Sequence, residues 1–261
     1  MLRSLSSAGT GMVAQQLNLD TIANNLANVN TTGFKSQRAE FQDLMYQTYR
    51  ASGATSQGAE QPVAMQIGLG SQFASTSSSF TQGAVVTTGE PLNMMILGDG
   101  FFKIQMPDGS TAYTRDGSFK LDANGAVVTS NGYKVLPEIT VEAGTTAITV
   151  SPDGTVSGKP KNANDPEELG KITISLFANP DGLTRIGQNL YTAGGASGDP
   201  EEVTPGTAGG GPIQSGAVEG SNVQVVEEMV RMITAQRAYE INSKAIQTAD
   251  DMLAQLNQLK R

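Results

Sequence analysis

From Leu5 onward, apolar side chains return every seven residues, at Leu5, Met12, Leu19 and Leu26, with Ala8, Gln15, Ile22 and Val29 three residues after each. Such a spacing holds one stripe on one side of an α-helix and is the pattern of helices that pack along their length. Gln15 is the single polar lapse. Thr31, Thr32 and Gly33 stop the repeat, so a helix is predicted over 3–30. The far end repeats the design. Ser221 and Gln224 form a capping-box signature, after which Val225, Met232, Tyr239, Ile246 and Leu253 recur at seven, with Ala235, Asn242, Ala249 and Leu256 interleaved. A helix over 222–258 would span about 55 Å at ~1.5 Å per residue, which is a coiled-coil length.

Between these ends the period changes to two. Phe102, Ile104 and Met106 alternate with Phe101, Lys103 and Gln105, and short apolar runs follow, separated by Pro107-Asp108-Gly109, Asn124-Gly125, Asn131-Gly132 and Pro152-Asp153-Gly154. Strands joined by Asp-Gly and Asn-Gly turns predict an antiparallel meander. Residues 46–79 are rich in Ser, Gln, Gly, Ala and Thr, and 193–216 are rich in Gly, so both are predicted as extended connections with too little apolar matter to fold alone. The expected fold is α+β: long N- and C-terminal helices forming a coiled-coil module, with an inserted antiparallel β domain. The expected divisions are 1–45 for the N-terminal helix and its extension, 46–79 for an extended joint, 80–192 for the β domain, 193–220 for a Gly/Pro-rich connection and 221–261 for the C-terminal helix.

Composition narrows the function. The 261 residues contain neither Cys nor His, which removes thiolate nucleophiles, imidazole bases and nearly every zinc or haem site. No cofactor and no metal is expected. The 25 acidic side chains exceed the 17 basic ones, and the surplus lies wholly between 51 and 220, while both ends are balanced to within one charge. No basic face is offered to phosphates, so nucleic acid is not an expected partner. No apolar run is long enough to cross a bilayer, and the N-terminus lacks the continuous apolar stretch of a cleaved signal, so no membrane insertion is expected.

Candidate chemistry is thin. Gly68-Leu69-Gly70, Gly98-Asp99-Gly100 and Gly209-Gly210-Gly211 lack the spacing of phosphate loops. Asp108, Asp116, Asp122 and Asp153 could supply the aspartate pair of a secreted glycan-active enzyme, the hydrolytic mechanism that needs neither His nor Cys. Each stands in a turn sequence, where Asp bonds its own backbone. Asn24, Asn25, Asn28 and Asn30 are costly in or at the end of a helix unless their amides bond something. Either they belong to a solvated helix end, or they bond neighbouring helices and fix register. In the C-terminal helix Val223, Val225, Val226, Met229, Val230, Met232 and Ile233 lie almost all round the circumference, more than one partner helix can cover. Other copies of the chain are therefore expected to cover the rest, and heterologous contacts that do not close give filaments. A β-type binding module that its helices merely trimerise is the alternative of another class.

Three blocks carry a resemblance. The run Ala23-Asn-Asn-Leu-Ala-Asn-Val-Asn-Thr-Thr-Gly33-Phe-Lys35, the pair Gly98-Asp-Gly-Phe-Phe102 and Tyr113-Thr-Arg-Asp-Gly-Ser-Phe119, and the run Ala235-Gln-Arg-Ala-Tyr239-Glu-Ile-Asn-Ser-Lys244 resemble the axial proteins of the bacterial flagellum. The likeness runs end to end and is greatest to the distal-rod members, with proximal-rod and hook paralogues as the alternatives. The resemblance implies a non-enzymatic subunit, exported by the flagellar type III apparatus without a cleaved signal. It implies polymerisation into the hollow, periplasm-spanning rod of the basal body that passes torque to the hook. Expected partners are further copies, the proximal rod proteins and hook protein at the two ends, and the L-ring and P-ring proteins around the shaft. Residues 46–66 look like an insertion of distal-rod members associated with a straight, stiff shaft. The expected subunit interface comprises Leu5, Met12, Leu19, Ile22, Asn24, Asn25, Leu26, Asn28 and Val29 near the start, and Val225, Met229, Met232, Ile233, Tyr239, Asn242, Ile246, Leu253 and Leu256 near the end.

Overall fold

The structure, a computed structural model, describes residues 2–50, 53–54, 60–61, 63–142, 144–161, 165–207 and 209–259, with the backbone alone at 2, 53–54, 60–61, 256–257 and 259. The chain forms two compact units. One comprises Met1–Ala27, Gln37–Ser77 and Gln224–Arg261, and the other Asn28–Ser36 and Ser78–Val223.

The first unit holds both helices, α1 (Leu2–Ala27) and α2 (Val225–Leu259). Their heptads give the reason for their length, since each carries a largely apolar, small-residue stripe facing the other, broken by Gln15, Asn25, Glu228 and Asn242. α2 starts later than its capping box suggests. The first helical bond runs from Glu228 N to Gln224 O at 3.0 Å, because Asn222 is engaged elsewhere. Glu227 and Glu228 in its first turn suit the positive end of the helix dipole. The strand Gln37–Asp43 pairs with Ser71–Ser78, and Tyr46–Arg50 pairs antiparallel with Met65–Gly68. The strands Tyr46–Arg50, Met65–Gly68 and Ser71–Ser78 lie where composition suggests an extended connection. Backbone pairing needs little apolar side-chain matter, and Tyr46–Arg50 is exposed along its whole length. The guanidinium of Arg3 lies 5.0 Å from the centre of the Tyr49 ring. Residues 51–52, 55–59 and 62 of the distal-rod-like insertion fall outside the described residues.

The second unit is the β body, which makes the class α+β. Its largest sheet runs Lys120–Leu121, Val127–Val128, Lys134–Leu136, Phe101–Gln105, Thr111–Thr114, Leu190–Thr192, Thr184–Gly187, and Ile174–Leu176 joins it by pairing with Phe101–Gln105 and with Glu201–Val203. The predicted alternation governs the packing. Phe102 and Ile104 enter a core with Met94, Ile96, Val135, Val156, Ile172 and Ile174, whereas Phe101 turns to the other side and meets Tyr113, Leu183 and Tyr191. That second cluster is aromatic and edge-packed, with Tyr113 and Phe177 ring centres 4.8 Å apart. The Gly-rich stretch contributes Glu201–Val203 and Ile213–Ser215, the latter pairing with Met94–Ile96. Ala217–Glu219 pairs with Val85–Thr87. The ladder partners of Ile213–Ser215 and Ala217–Glu219 are more than a hundred residues away, so no local pattern announces them.

Candidate assembly interface

Within the helical unit α1 and α2 run antiparallel, since Asn25 meets Glu228 while Gly11 meets Asn242. The interval between these contacts is the same on both helices, so the register holds over two heptads. Small residues line the seam. Ala8 and Ala14 are buried on α1, Ala235 and Ala249 on α2, and a Cβ added at Gly11 would stand 3.0 Å from Asn242 Nδ2.

Leu5, Met12, Leu19, Leu26, Met232, Asn242, Ile246 and Leu253 are half-buried in this single copy, and Ile22 is buried. Asn25 is buried too and works as a backbone mimic. Its Nδ2 donates to Gln37 O at 2.7 Å and its Oδ1 accepts from Gln37 N at 2.9 Å, while Nδ2 also reaches Glu228 Oε2 at 3.4 Å. That amide fixes register between α1, the strand after it and α2 within one chain, satisfying two backbone groups that a Leu there would strand. Asn24 Nδ2 reaches Gln37 Oε1 at 3.5 Å, and Asn28 Oδ1 accepts from Thr31 Oγ1 at 3.1 Å. Val29 is half-buried in the β body's segment. The side chain of Leu256 lies outside the described residues.

The remaining α2 candidates face solvent. Val225, Met229, Ile233 and Tyr239 are exposed, together with Val226 at 75% and Val230 at 56%. At 3.6 residues per turn, Val226, Met229, Val230 and Ile233 share the side opposite Ala235, Asn242 and Ala249. α2 therefore carries two stripes, one covered by α1 and one uncovered. A cleft of about 340 Å³, lined by Asn18, Thr21, Ile22, Gln37, Arg38, Glu228, Arg231 and others, opens beside the seam.

The β body contains a second constellation that sequence reasoning missed. Lys35 is fully buried, and its Nζ donates to Glu219 Oε1 at 2.6 Å and to Thr81 O at 2.7 Å. Glu219 Oε1 also accepts from Gly83 N at 2.9 Å, and its Oε2 lies 3.6 Å from Arg115 Nη1. Burial pushes the Lys35 ammonium below its ordinary range, with the Glu219 carboxylate opposing. Arg185 Nη2 donates to Lys35 O at 2.6 Å and Ser78 Oγ at 3.1 Å, while its guanidinium lies over the Phe34 and Tyr191 rings. Asn222 completes the group. Its Oδ1 accepts from Ser36 N at 2.7 Å and its Nδ2 donates to Ser79 O at 2.8 Å and Thr81 Oγ1 at 3.0 Å. Gly33 sits in the left-handed region, φ 66°, and a Cβ there would come within 2.6 Å of Asp116 N, so only glycine lets this segment lie so close. Partners from about fifty to nearly two hundred residues apart leave no periodic signal.

The aspartates do turn work. Asp108 Oδ1 accepts from Ser110 N and Oγ, Asp116 Oδ1 from Ser118 N and Oγ, Asp122 Oδ1 from Ala123 N, and Asp153 from Thr155 N and Oγ1. Bonds from Ser110 and Thr155 hold the Asp108 and Asp153 carboxyls below the ordinary range, the reverse of what a general acid requires. Among the described residues, no helix is long and apolar enough to cross a membrane.

Family models match along the chain: the flagella basal body rod protein model at 5–35, the flagellar hook protein FlgE/F/G D1 domain at 95–158 and the flagellar basal body rod FlgEFG protein C-terminal model at 214–259. The matches at the two ends cover α1 with the Asn-rich run, and α2 with Glu219 and Asn222. Flagellar basal-body rod proteins FlgG are similar over the whole length. That of Borreliella burgdorferi is 53% identical with 100% of both chains covered, that of Buchnera aphidicola 48% with 99% of this chain and 100% of the relative, and that of Bacillus subtilis 42% with 100% of both. A chain with seamed terminal helices, an uncovered apolar stripe and aspartates spent on turns, similar from end to end to these relatives, belongs to the FlgG family of flagellar basal-body rod proteins and is a structural subunit rather than an enzyme.

Proposed function

We propose that the chain polymerises into the hollow distal rod of the basal body, a drive shaft that passes torque from motor to hook. The observation that carries this reading is the uncovered stripe Val226, Met229, Val230 and Ile233 on α2. Contiguous exposed apolar surface on a helix already partnered along its other side calls for another copy. In the polymer the helices of neighbouring copies form a coiled-coil wall, with Val225, Met229, Ile233 and Tyr239 contacting other copies directly. Leu5, Met12, Leu19, Leu26, Met232, Ile246, Leu253 and Leu256 extend the seam between chains. Asn24, Asn28 and Asn242 set register, while Ile22, Asn25 and Val29 hold the shape that presents it. The proximal rod and the hook cap the two ends, the L-ring and P-ring proteins surround the shaft, and the subunit is exported without a cleaved signal. Residues 46–66, with Tyr46, Tyr49, Val63 and Met65 exposed, stiffen the shaft.

Electron microscopy of concentrated full-length protein tests this. Straight hollow tubes are expected, and closed oligomers of fixed size would overturn polymerisation. Deleting 46–66 should leave tubes that bend, and tubes as straight as the parent's would remove the stiffening role.

A further inference from the structure

The buried polar constellation of the β body lies at chain junctions. The chain passes out of the body after Ser36, returns at Ser78 and leaves again after Val223, and the bonds around Lys35, Arg185, Glu219 and Asn222 join these three segments to one another. Ser79 N donates to Ser36 O at 2.9 Å, Gly33 N to Glu219 O at 2.8 Å and Gly220 N to Ala84 O at 2.8 Å. Asn222 alone bonds the first segment through Ser36 and the second through Ser79 and Thr81. Glu219 alone bonds Lys35 of the first and Gly83 of the second. Arg185, from the Thr184–Gly187 strand of the main sheet, bonds Lys35 O and Ser78 Oγ.

Every one of these partners lies within the same unit of one chain. The contrast with α2 is direct, because there one apolar stripe stays uncovered in the single copy. Buried charge explains the choice of residues. A Lys and a Glu out of water contribute little net stability, but any other threading of the three segments would bury one of them unpaired. The pair therefore selects one arrangement of the junctions. Shared acceptors make the bonds cooperative, since losing Asn222 frees groups on two segments together.

We propose that Lys35, Arg185, Glu219 and Asn222 form a clasp that closes in the unassembled subunit, before any neighbour binds, and fixes the roots of the 37–77 segment and of α2. The 37–77 segment is a loop whose two ends are pinned side by side by the Ser79–Ser36 bond. This inference does not rest on the rod reading, because it concerns the single copy.

Amide hydrogen exchange on the full-length chain, below the concentration at which it polymerises, tests it. The amides of Gly33, Ser36, Ser79 and Gly83 should be protected in the parent alongside those of the Phe101–Gln105 strand. Asn222→Ala should speed exchange by at least about tenfold at Ser79 and Gly83 as well as at Ser36, although the acceptors of Ser79 and Gly83 are untouched by the substitution. Asn222→Asp, which keeps the acceptor for Ser36 and loses the donors, should free Ser79 and Gly83 likewise, and it decides the matter if the alanine variant also loses protection in the Phe101–Gln105 strand. Unprotected Gly33, Ser36 and Ser79 amides in the parent would overturn the clasp. So would variants in which exchange rises at Ser36 alone.

Discussion

α2 extends over 35 residues and, among the described residues, fully buries only Glu228, Ala235 and Ala249. The strand Phe101–Gln105 fully buries Phe101, Phe102 and Ile104 within five. Ordering a residue costs about 1–2 kcal/mol of backbone entropy in either place, so the two regions meet that cost differently. The β body closes its own core. The helical unit keeps much of its apolar surface outside, on Val226, Met229, Val230 and Ile233. The proposed polymer uses both arrangements, a body with its own core and a helical unit with apolar surface left for a neighbour.

This contrast can be broken from either side. Phe102→Ala should produce the largest effect on the single copy. It opens a cavity beside Phe119, 5.1 Å away between ring centres, and should destabilise the body by about 3–5 kcal/mol, read from the denaturant midpoint. Ile233→Asp should act only on assembly. At 55% exposure its carboxylate stays hydrated in one copy, but burial against a neighbour costs several kcal/mol, raising the critical concentration by roughly a hundredfold or more with the thermal transition of the body unchanged. Sedimentation and calorimetry of the same sample separate the two. Asn25→Leu should be intermediate, because it strands Gln37 N and O at about 1–3 kcal/mol each, and the loss should appear as faster proteolysis near residue 37 in the polymer.

Smaller effects sharpen the assignment of the aspartates. Asp122→Asn should shift stability by less than about 0.5 kcal/mol, since Asn accepts the same turn bond. For Asp108 the sign follows from its depressed folded value. Its contribution is present above the ordinary carboxyl value of 3.8 and is lost as pH falls through the lower folded one. The deficit of Asp108→Ala seen at pH 7 should therefore vanish in strong acid, as chemical denaturation at the two pH values would report.

The local elements were legible in the residues themselves. Heptads located both helices to within a few residues, and Asp-Gly and Asn-Gly turns located the hairpins. The uncovered stripe of α2 could be foreseen because a helix that is apolar all round needs more than one partner. Other features could not. The hairpin between Tyr46–Arg50 and Met65–Gly68 is held by backbone bonds with its side chains exposed, so no alternation marks it. The short strands in the Gly-rich stretch take their stability from Met94–Ile96 and Ile174–Leu176, and their own composition says nothing of it. Asn222 stood next to a capping signature and looked like part of a helix start, yet its amide joins two distant segments.

What the sequence alone determined is therefore whatever depends on neighbours a few residues away: helical and strand period, turn chemistry, the absence of imidazole and thiol, and the blocks that resemble flagellar axial proteins. Tertiary structure decided which polar groups meet. Lys35 and Glu219 are 184 positions apart and become partners only when the body folds. Their burial is tolerable only as a pair, because an ion out of water needs its counter-ion at hydrogen-bond distance. A local pattern carries no record of that requirement, since the closing of the two distant segments upon each other creates it.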